Sequence, residues 1–408
     1  MAKNIDIPNG WEVKKLGEIG NFLKGKGIKK DELCDNGLPC VIYGQIYTSY
    51  DFYTDKFTSF IPINLKPYTT EIYQNDILFT GSGETKEEIG KSIAYIGKEY
   101  AYAGGDIIIL RQDKIISIFI TYYLNSIGRK QLNRLGQGDS VVHIYKSILE
   151  SVKIPVPPLA EQEKIAEILS LWDKAIGQTK ELIAYKEKQK KGLMQNLLTG
   201  KKRLHGFTDE WKTVNINDCF NHFGGTALEK YIDNTGEYKF ISIGNYSTDG
   251  KYIDNGNRII LNDITKIKLL NKNELVMVLN DKTSDGKIIG ACILIDKDNT
   301  YIYNQRSEKL VCKQNILPIY AWFLLNSNHF RKKIFSKAQG GTQIYINFSS
   351  IIDIKIVLPP VDEQKAIADI LCKADEEIEL LNKQLDLYTE QKKGLMQNLL
   401  TGKVRVTV

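Results

Sequence analysis

Thirteen residues, QKKGLMQNLLTGK, stand twice in this chain without a change, at 189–201 and again at 391–403. A long-period repeat of that quality constrains a fold more than any local propensity does. Shifting the chain by 202 positions lays residues 154–203 on 356–405 without a gap, and about half of those fifty positions agree. IPVPPLAEQEKIAEIL faces IVLPPVDEQKAIADIL, and each copy runs on to an arginine, Arg203 or Arg405. Upstream the likeness is weaker but keeps its order. Trp11 faces Trp211, Leu-Asn-Ser at 124–126 faces the same tripeptide at 325–327, and GQGDSVVHI faces QGGTQIYI. Duplication explains this, and it gives the order variable block, shared segment, variable block, shared segment.

The shared segment reads as a helix with one apolar seam. Ile165, Leu169, Trp172, Ile176, Thr179, Ile183, Lys186, Lys190, Leu193 and Leu197 step by four and three in turn, as a heptad does. The second copy gives Ile367, Leu371, Ala374, Ile378, Leu381, Leu385, Tyr388, Lys392, Leu395 and Leu399. Pro-Pro at 157–158 and 359–360 opens each helix, and Gly200 and Gly402 stand where a C-terminal cap belongs. About 38 helical residues span roughly 57 Å. Two such stripes must be buried, and pairing with each other is the economical solution. Charge supports it: residues 154–203 carry ten Lys/Arg against six Asp/Glu, while 356–408 carry seven against nine. Opposite signs favour two strands of one coiled coil over self-pairing, and an antiparallel arrangement is expected because it relates the two halves by a pseudo-twofold axis. The pairing set expected is Ile165, Leu169, Trp172, Ile176 and Ile183 with Ile367, Leu371, Ile378, Leu381 and Leu385.

The blocks between read as mixed α/β. Short apolar runs such as NDILFT (75–80), DIIIL (106–110), ELVMVL (274–279) and ACILI (291–295) are strand-like, with Gly and Asn between them. Each block closes on a helix-like stretch, ISIFITYYLNSIGRKQLNRL or PIYAWFLLNSNHFRKKIF, and then a Gly/Gln/Ser/Thr loop. Tyr, Asn, Gln and Lys crowd two places, YGQIYTSYDFY (43–53) and ISIGNYSTDGKYIDNGNR (241–258). Such groups suit phosphate contact and base-edge hydrogen bonding. The candidates in the first block are Lys24, Lys26, Lys29, Gln45, Tyr47, Tyr50, Ser82, Thr85, Lys86 and Gln137. In the second they are Thr226, Asn245, Tyr246, Lys251, Arg258, Lys282, Thr283, Gln339 and Thr342.

Catalytic signatures are missing. GSGETKEEIGKS (81–92) falls short of a P-loop, because Thr85 stands where G-x-x-x-x-G-K-[ST] needs its first glycine. The Pro-Pro pairs, VPPL and LPPV, lack the flanks of an amino-methyltransferase box. His143, His205, His222 and His329 have no partner at ligand spacing, and six scattered cysteines suggest free reduced thiols and no zinc. A net charge of +6 is a mild basic lean. The opening MAKNIDIPNGWEVKK has no apolar run of a signal peptide, so a cytoplasmic location is expected.

Two variable blocks alternating with helical segments that open on PPLAEQ or PPVDEQ and close on QKKGLMQNLLTGK resemble the DNA-specificity (S) subunit of type I restriction–modification systems. The likeness covers the whole chain and includes the opening Trp11 and Trp211 and the Gly-Gly-Thr at 224–226, which the first block replaces with Gly25-Lys-Gly27. It implies an α/β (α+β) architecture: target-recognition domains at 1–157 and 204–359, conserved helices at 158–203 and 360–408, and an internal pseudo-twofold repeat. It further implies a non-catalytic subunit whose blocks each read half of a bipartite DNA target, with a spacer set by the helices. Two methyltransferase subunits would dock on the helices through Lys190, Lys191, Leu193 and Met194 and through Lys392, Lys393, Leu395 and Met396. Cofactors would sit on partners: S-adenosylmethionine on the methyltransferases, ATP and Mg on a restriction subunit. The competing readings are a protein-binding repeat scaffold and part of a self-sufficient modification enzyme.

Overall fold

The computed structural model describes residues 7–83, 85, 88–137 and 142–408. The shared segments form two helices of 39 residues, Leu159–Leu197 and Val361–Leu399. Each begins directly after its Pro-Pro. Gly200 (φ +70°) and Gly402 (φ +68°) follow the last turns in the left-handed conformation, which a Cβ would penalise. Every position of both heptad seams is buried or half-buried. Among the described residues no helix is long and apolar enough to cross a membrane.

Contacts divide the chain into two compact units, one comprising residues up to Lys180 with Lys383–Val408, the other Glu181–Asn382. The division cuts both long helices near their middles. Each block packs on the start of the helix that follows it and on the end of the other helix. In the first unit Ile165, Leu169, Met396, Leu399 and Leu400 share a core with Trp11, Leu16, Phe119 and Tyr122. In the second, Leu197, Leu198, Ile367, Ala368 and Leu371 share one with Ile216, Phe220, Tyr320 and Phe323. The helices run antiparallel in both. Residues 161 and 173 meet 405 and 392 in the first unit, and 190 and 203 meet 375 and 363 in the second.

The first block contains a five-stranded sheet in the order Asn21–Lys24, Ile107–Arg111, Ile77–Thr80, Ser92–Tyr95, Tyr53–Thr54, and a four-stranded sheet around Leu38–Val41 and Ala101–Ala103. The second repeats the scheme with Phe220–Gly224, Ser307–Cys312, Leu275–Val278, Cys292–Leu294 and a smaller sheet around Tyr238–Ile241. The two ends of each block are zipped together. Glu12–Lys15 pairs antiparallel with Lys153–Val156, and Lys212–Asn215 with Lys355–Leu358. A block is thus an insertion that leaves the helical frame and returns to it at one place.

The long helix-like stretch that closes each block is two helices, not one: Ser117–Leu124 then Arg129–Leu135, and Pro318–Asn326 then Asn328–Phe335. The shared Leu-Asn-Ser explains the break. Asn125 accepts from Ser92 N at 3.0 Å and donates to Ser92 O at 2.6 Å; Asn326 does the same to Cys292 at 3.0 and 2.9 Å. An amide side chain that satisfies both groups of a strand residue pins the helix end to the sheet.

Candidate nucleic-acid interface

In each unit the block is fastened to its frame by a polar triad around a buried glutamate. Trp11 Nε1 donates to Glu161 Oε2 at 3.0 Å, and Arg405 donates to both Glu161 oxygens at 2.7 Å. Trp211 Nε1 donates to Glu363 Oε2 at 2.9 Å, and Arg203 forks onto both Glu363 oxygens at 3.1 and 2.6 Å. The tryptophan comes from the block, the glutamate from the start of one long helix, and the arginine from just beyond the end of the other. A bidentate guanidinium pair satisfies a carboxylate that burial would otherwise penalise. The next residue ties the helix to the block again. Gln162 accepts from Ile116 N at 3.0 Å, and Gln364 accepts from Leu317 N at 2.9 Å.

With its termini held, each block presents the opposite resource, a set of strand ends that turn out together. In the first unit Lys24 pairs with Ile108, and Ile107 with Thr80. Three neighbouring strands therefore end or begin at one edge. Gly25 N donates to Ile107 O at 2.8 Å and Gly81 N to Asp106 O at 2.7 Å. The same edge in the second unit pairs Gly224 with Glu308 and Val278 with Ser307; Gly225 N donates to Ser307 O at 3.0 Å and Leu279 N to Arg306 O at 2.9 Å. The glycine at this corner is obligatory. A Cβ on Gly25 would lie 2.0 Å from Gly104 O, and one on Gly225 1.8 Å from Asn304 O. Gly25-Lys-Gly27 and Gly-Gly-Thr are thus two spellings of one turn.

A second loop returns to each edge. Ser82–Gly83 pairs with Val142–His143, and Asn280–Asp281 with Ile344–Tyr345. Gln137 and His143 exchange backbone hydrogen bonds at 2.9 and 2.7 Å, as Gln339 and Tyr345 do at 2.8 and 2.9 Å. Ser82 Oγ meets His143 Nδ1 at 3.0 Å. Asp281 organises the second loop, accepting from Thr283 N, Thr283 Oγ1 and Ile288 N, each at 2.9 Å. Burial works against its ionisation, but the hydrogen bonds from Ile288 and Thr283 bring its pKa below the ordinary value. Of the residues expected to meet DNA, those exposed in the loops of the two edges are Lys24, Lys26, Lys29, Thr85 and Gln137, and Thr226, Lys282, Thr283, Gln339 and Thr342.

Both blocks match the family model described as the type I restriction modification DNA specificity domain, over residues 8–185 and 208–387. The chain belongs to that family. It is 29% identical over 420 residues to the MjaVIII type I restriction enzyme specificity subunit of Methanocaldococcus jannaschii, a match covering 98% of this chain and 95% of that one. To the EcoKI specificity subunit of Escherichia coli it is 23% identical over 428 residues, covering 98% and 89%. The fold resembles the crystal structure of the type I S subunit from M. genitalium, with a TM-score of 0.60, 16% identity, and 98% and 97% of the two chains covered.

Several residues expected at a DNA face serve the interior of the chain instead. Asn245 is buried, caps its own turn through Ser242 N at 2.9 Å and donates to Ile253 O at 2.9 Å. Tyr246 is core, its hydroxyl donating to Ser307 Oγ at 2.8 Å. Gln45 caps Ile42 N at 3.1 Å and reaches Ser59, while Tyr50 OH accepts from Thr58 N at 3.3 Å. Tyr47 OH donates to Ser82 O at 2.7 Å, and burial pushes that phenol up to about 12. These groups buttress the loops from beneath, since a backbone that turns out of a sheet leaves donors and acceptors that side chains must meet. Arg258 is forked onto Asp254 at 2.9 and 3.1 Å, and Lys251 faces Asp249 at 3.9 Å. Lys86 lies outside the described residues.

The docking set is corrected in the same way. Lys190 pairs with Asp375 at 2.5 Å, 5.6 Å from the Phe323 ring centre. Lys392 pairs with Asp173, 4.1 Å over Phe52, and Asp173 also accepts from Tyr122 OH. Burial pulls the Lys392 ammonium below its ordinary pKa, and Asp173 opposes that. Leu193, Met194, Leu395 and Met396 pack on the two cores. Only Lys191 and Lys393 of the eight are exposed. In both copies the identical segment places its first lysine on an aspartate of the other long helix and its leucine and methionine on a core. Sequence reasoning missed Arg306, exposed at the strand-end edge; only the register of Ser307–Cys312 puts it there.

Proposed function

We propose that this chain is the non-catalytic DNA-specificity subunit of a type I restriction–modification complex, each block reading one half of a bipartite duplex target. The observation that carries the reading is the strand-end edge. In both units polar loops and lysines gather on a rigid sheet corner while the block's own termini are locked away in the helical frame. A fixed corner supplies donors and acceptors to base edges, and the lysines supply phosphate contacts that set its position. The long helices set the unread spacer between the half-sites. Two modification subunits dock on the helices, where Lys191 and Lys393 remain available, and bring S-adenosylmethionine; a restriction subunit brings ATP and Mg. The related M. jannaschii and E. coli chains, named as specificity subunits of type I restriction enzymes, support this division of labour.

Affinity for duplex DNA measured against salt tests the reading. A face touching six to ten phosphates loses roughly 10³–10⁵ in affinity between about 50 and 200 mM salt, linearly in the logarithms. A flat response would favour a scaffold that binds only proteins.

A further inference from the structure

The three most exposed large apolar side chains of the described residues, leaving aside Val408, are Ile267 (73%), Ile63 (72%) and Tyr68 (70%). Single exposed apolar groups are ordinary on protein surfaces. These three are not scattered. They fall on the same element of the two repeats, the 3₁₀ turns Ile63–Tyr68 and Lys266–Lys268. Lysine accompanies them in both: Lys66 in the first, Lys266 and Lys268 on either side of Ile267.

Each turn is anchored beside the strand-end edge. In the first unit Thr70 Oγ1 donates to Lys24 O at 2.8 Å, and Gly27 (φ +69°) passes so close to Tyr68 O that a Cβ would lie 2.4 Å from it. In the second, Lys268 Nζ donates to Gly224 O at 2.5 Å. The turn is thus fixed to the very glycine corner from which the loops leave. Leu65 packs inward with Ile28 and Ile61, and Leu269 with Leu228 and Ile302, so the turns keep an apolar residue for their own cores and still hold others in water.

We propose that Tyr68 and Ile267 are groove wedges: each enters the duplex beside its half-site and parts one base step, with Ile63 against the sugar wall. The inference rests on the DNA-reading function proposed above. The chemistry fits a polyphosphate helix better than a protein surface, because an exposed lysine stands beside each apolar tip, Lys66 two residues before Tyr68 and Lys266 directly before Ile267, where an ammonium can meet a phosphate next to a parted step. An apolar side chain in that gap replaces lost stacking with contact. The wedge is sequence-tolerant, which explains why two blocks with little sequence in common retain it.

The test uses the full chain and a duplex that it selects from a random pool, resynthesised with 2-aminopurine at successive adenine positions. The wild-type protein raises fluorescence at one step beside each half-site. Ile267→Ala abolishes the rise beside one half-site and Tyr68→Ala beside the other. Each weakens binding roughly tenfold with the salt slope unchanged, and Ile267→Leu restores the signal. Both residues are exposed, so the variants fold. Wild-type selection with unaltered fluorescence and affinity in the alanine variants overturns the wedge and leaves DNA reading intact. Variants that bind DNA normally but lose a copurifying modification subunit overturn it in favour of a protein contact. A wild-type chain that selects no duplex removes the DNA-reading function and the wedge with it.

Discussion

The two units hold one frame in common and stabilise it with different chemistry. Trp11, Glu161 and Arg405 in the first correspond to Trp211, Glu363 and Arg203 in the second, bond for bond. Farther along the helices, past the matching Gln162 and Gln364, the likeness weakens. In the first unit Tyr388 meets Trp172 edge-on, with ring centres 5.5 Å apart, whereas in the second its counterpart Lys186 pairs with Glu377 at 2.6 Å and Ala374 stands at the position of Trp172. The first buries Lys392 under Phe52 and Tyr122, whereas the second leaves Lys190 more open beside Trp322 and Phe323; the partner carboxylates, Asp173 and Asp375, are equally half-buried. Duplication preserved what mounts a block and allowed divergence in what fills the space around the mount.

The triads give the sharpest way to break this comparison. Glu161→Ala leaves the buried Trp11 indole N–H without an acceptor and should cost about 2 kcal/mol, whereas Glu363→Ala should cost nearer ~1 kcal/mol because Trp211 is only half-buried. Hydrogen exchange should show the loss confined to the unit that carries the change; equal loss of protection in both would show that the units do not open separately. A smaller effect separates the lysines. Lys392→Met strands Asp173 with only Tyr122 for a partner and should destabilise the first unit by about 1–2 kcal/mol, partly recovered by adding Asp173→Asn. Lys190→Met, at a more open site, should lower the urea midpoint less; the reverse order would mean that the aromatic cover of Lys392 contributes nothing. The least effect is that of ionic strength. Raising salt to about 1 M should weaken the Lys186–Glu377 end by roughly 0.5 kcal/mol and leave the Trp172–Tyr388 end unaffected, read as amide protection at each end of the frame.

The helices were legible because their signals are local and redundant: Pro-Pro at one end, glycine at the other, and a heptad between. The strands of the blocks were legible where apolar runs are short, as in Ile77–Thr80 and Leu275–Val278. The site was legible only in part. Richness in Tyr, Asn and Gln drew attention to 43–53 and 241–258, yet Asn245 and Tyr246 are buried and the half-buried Gln45 caps its own turn. Composition cannot tell a hydrogen bond made to a partner from one made to the chain's own turn. Lys190 and Lys392 misled for a related reason: a lysine on a helix looks solvated until a carboxylate and an aromatic ring from distant sequence are placed around it. Arg306 and Ile267 carry no local mark at all.

By itself the sequence determined the duplication, the two long helices, the pairing that their opposite charges favour, and the family that this order of segments belongs to. Each of those rests on periodicity or on pairs of matching segments, which one dimension records. Tertiary structure alone decided which face of each block is an edge of loops and which is a mount, because that depends on strand register and on where Glu161 and Glu363 find their tryptophan and arginine. Burial and register are properties of pairs far apart in the chain, and no window of sequence contains them.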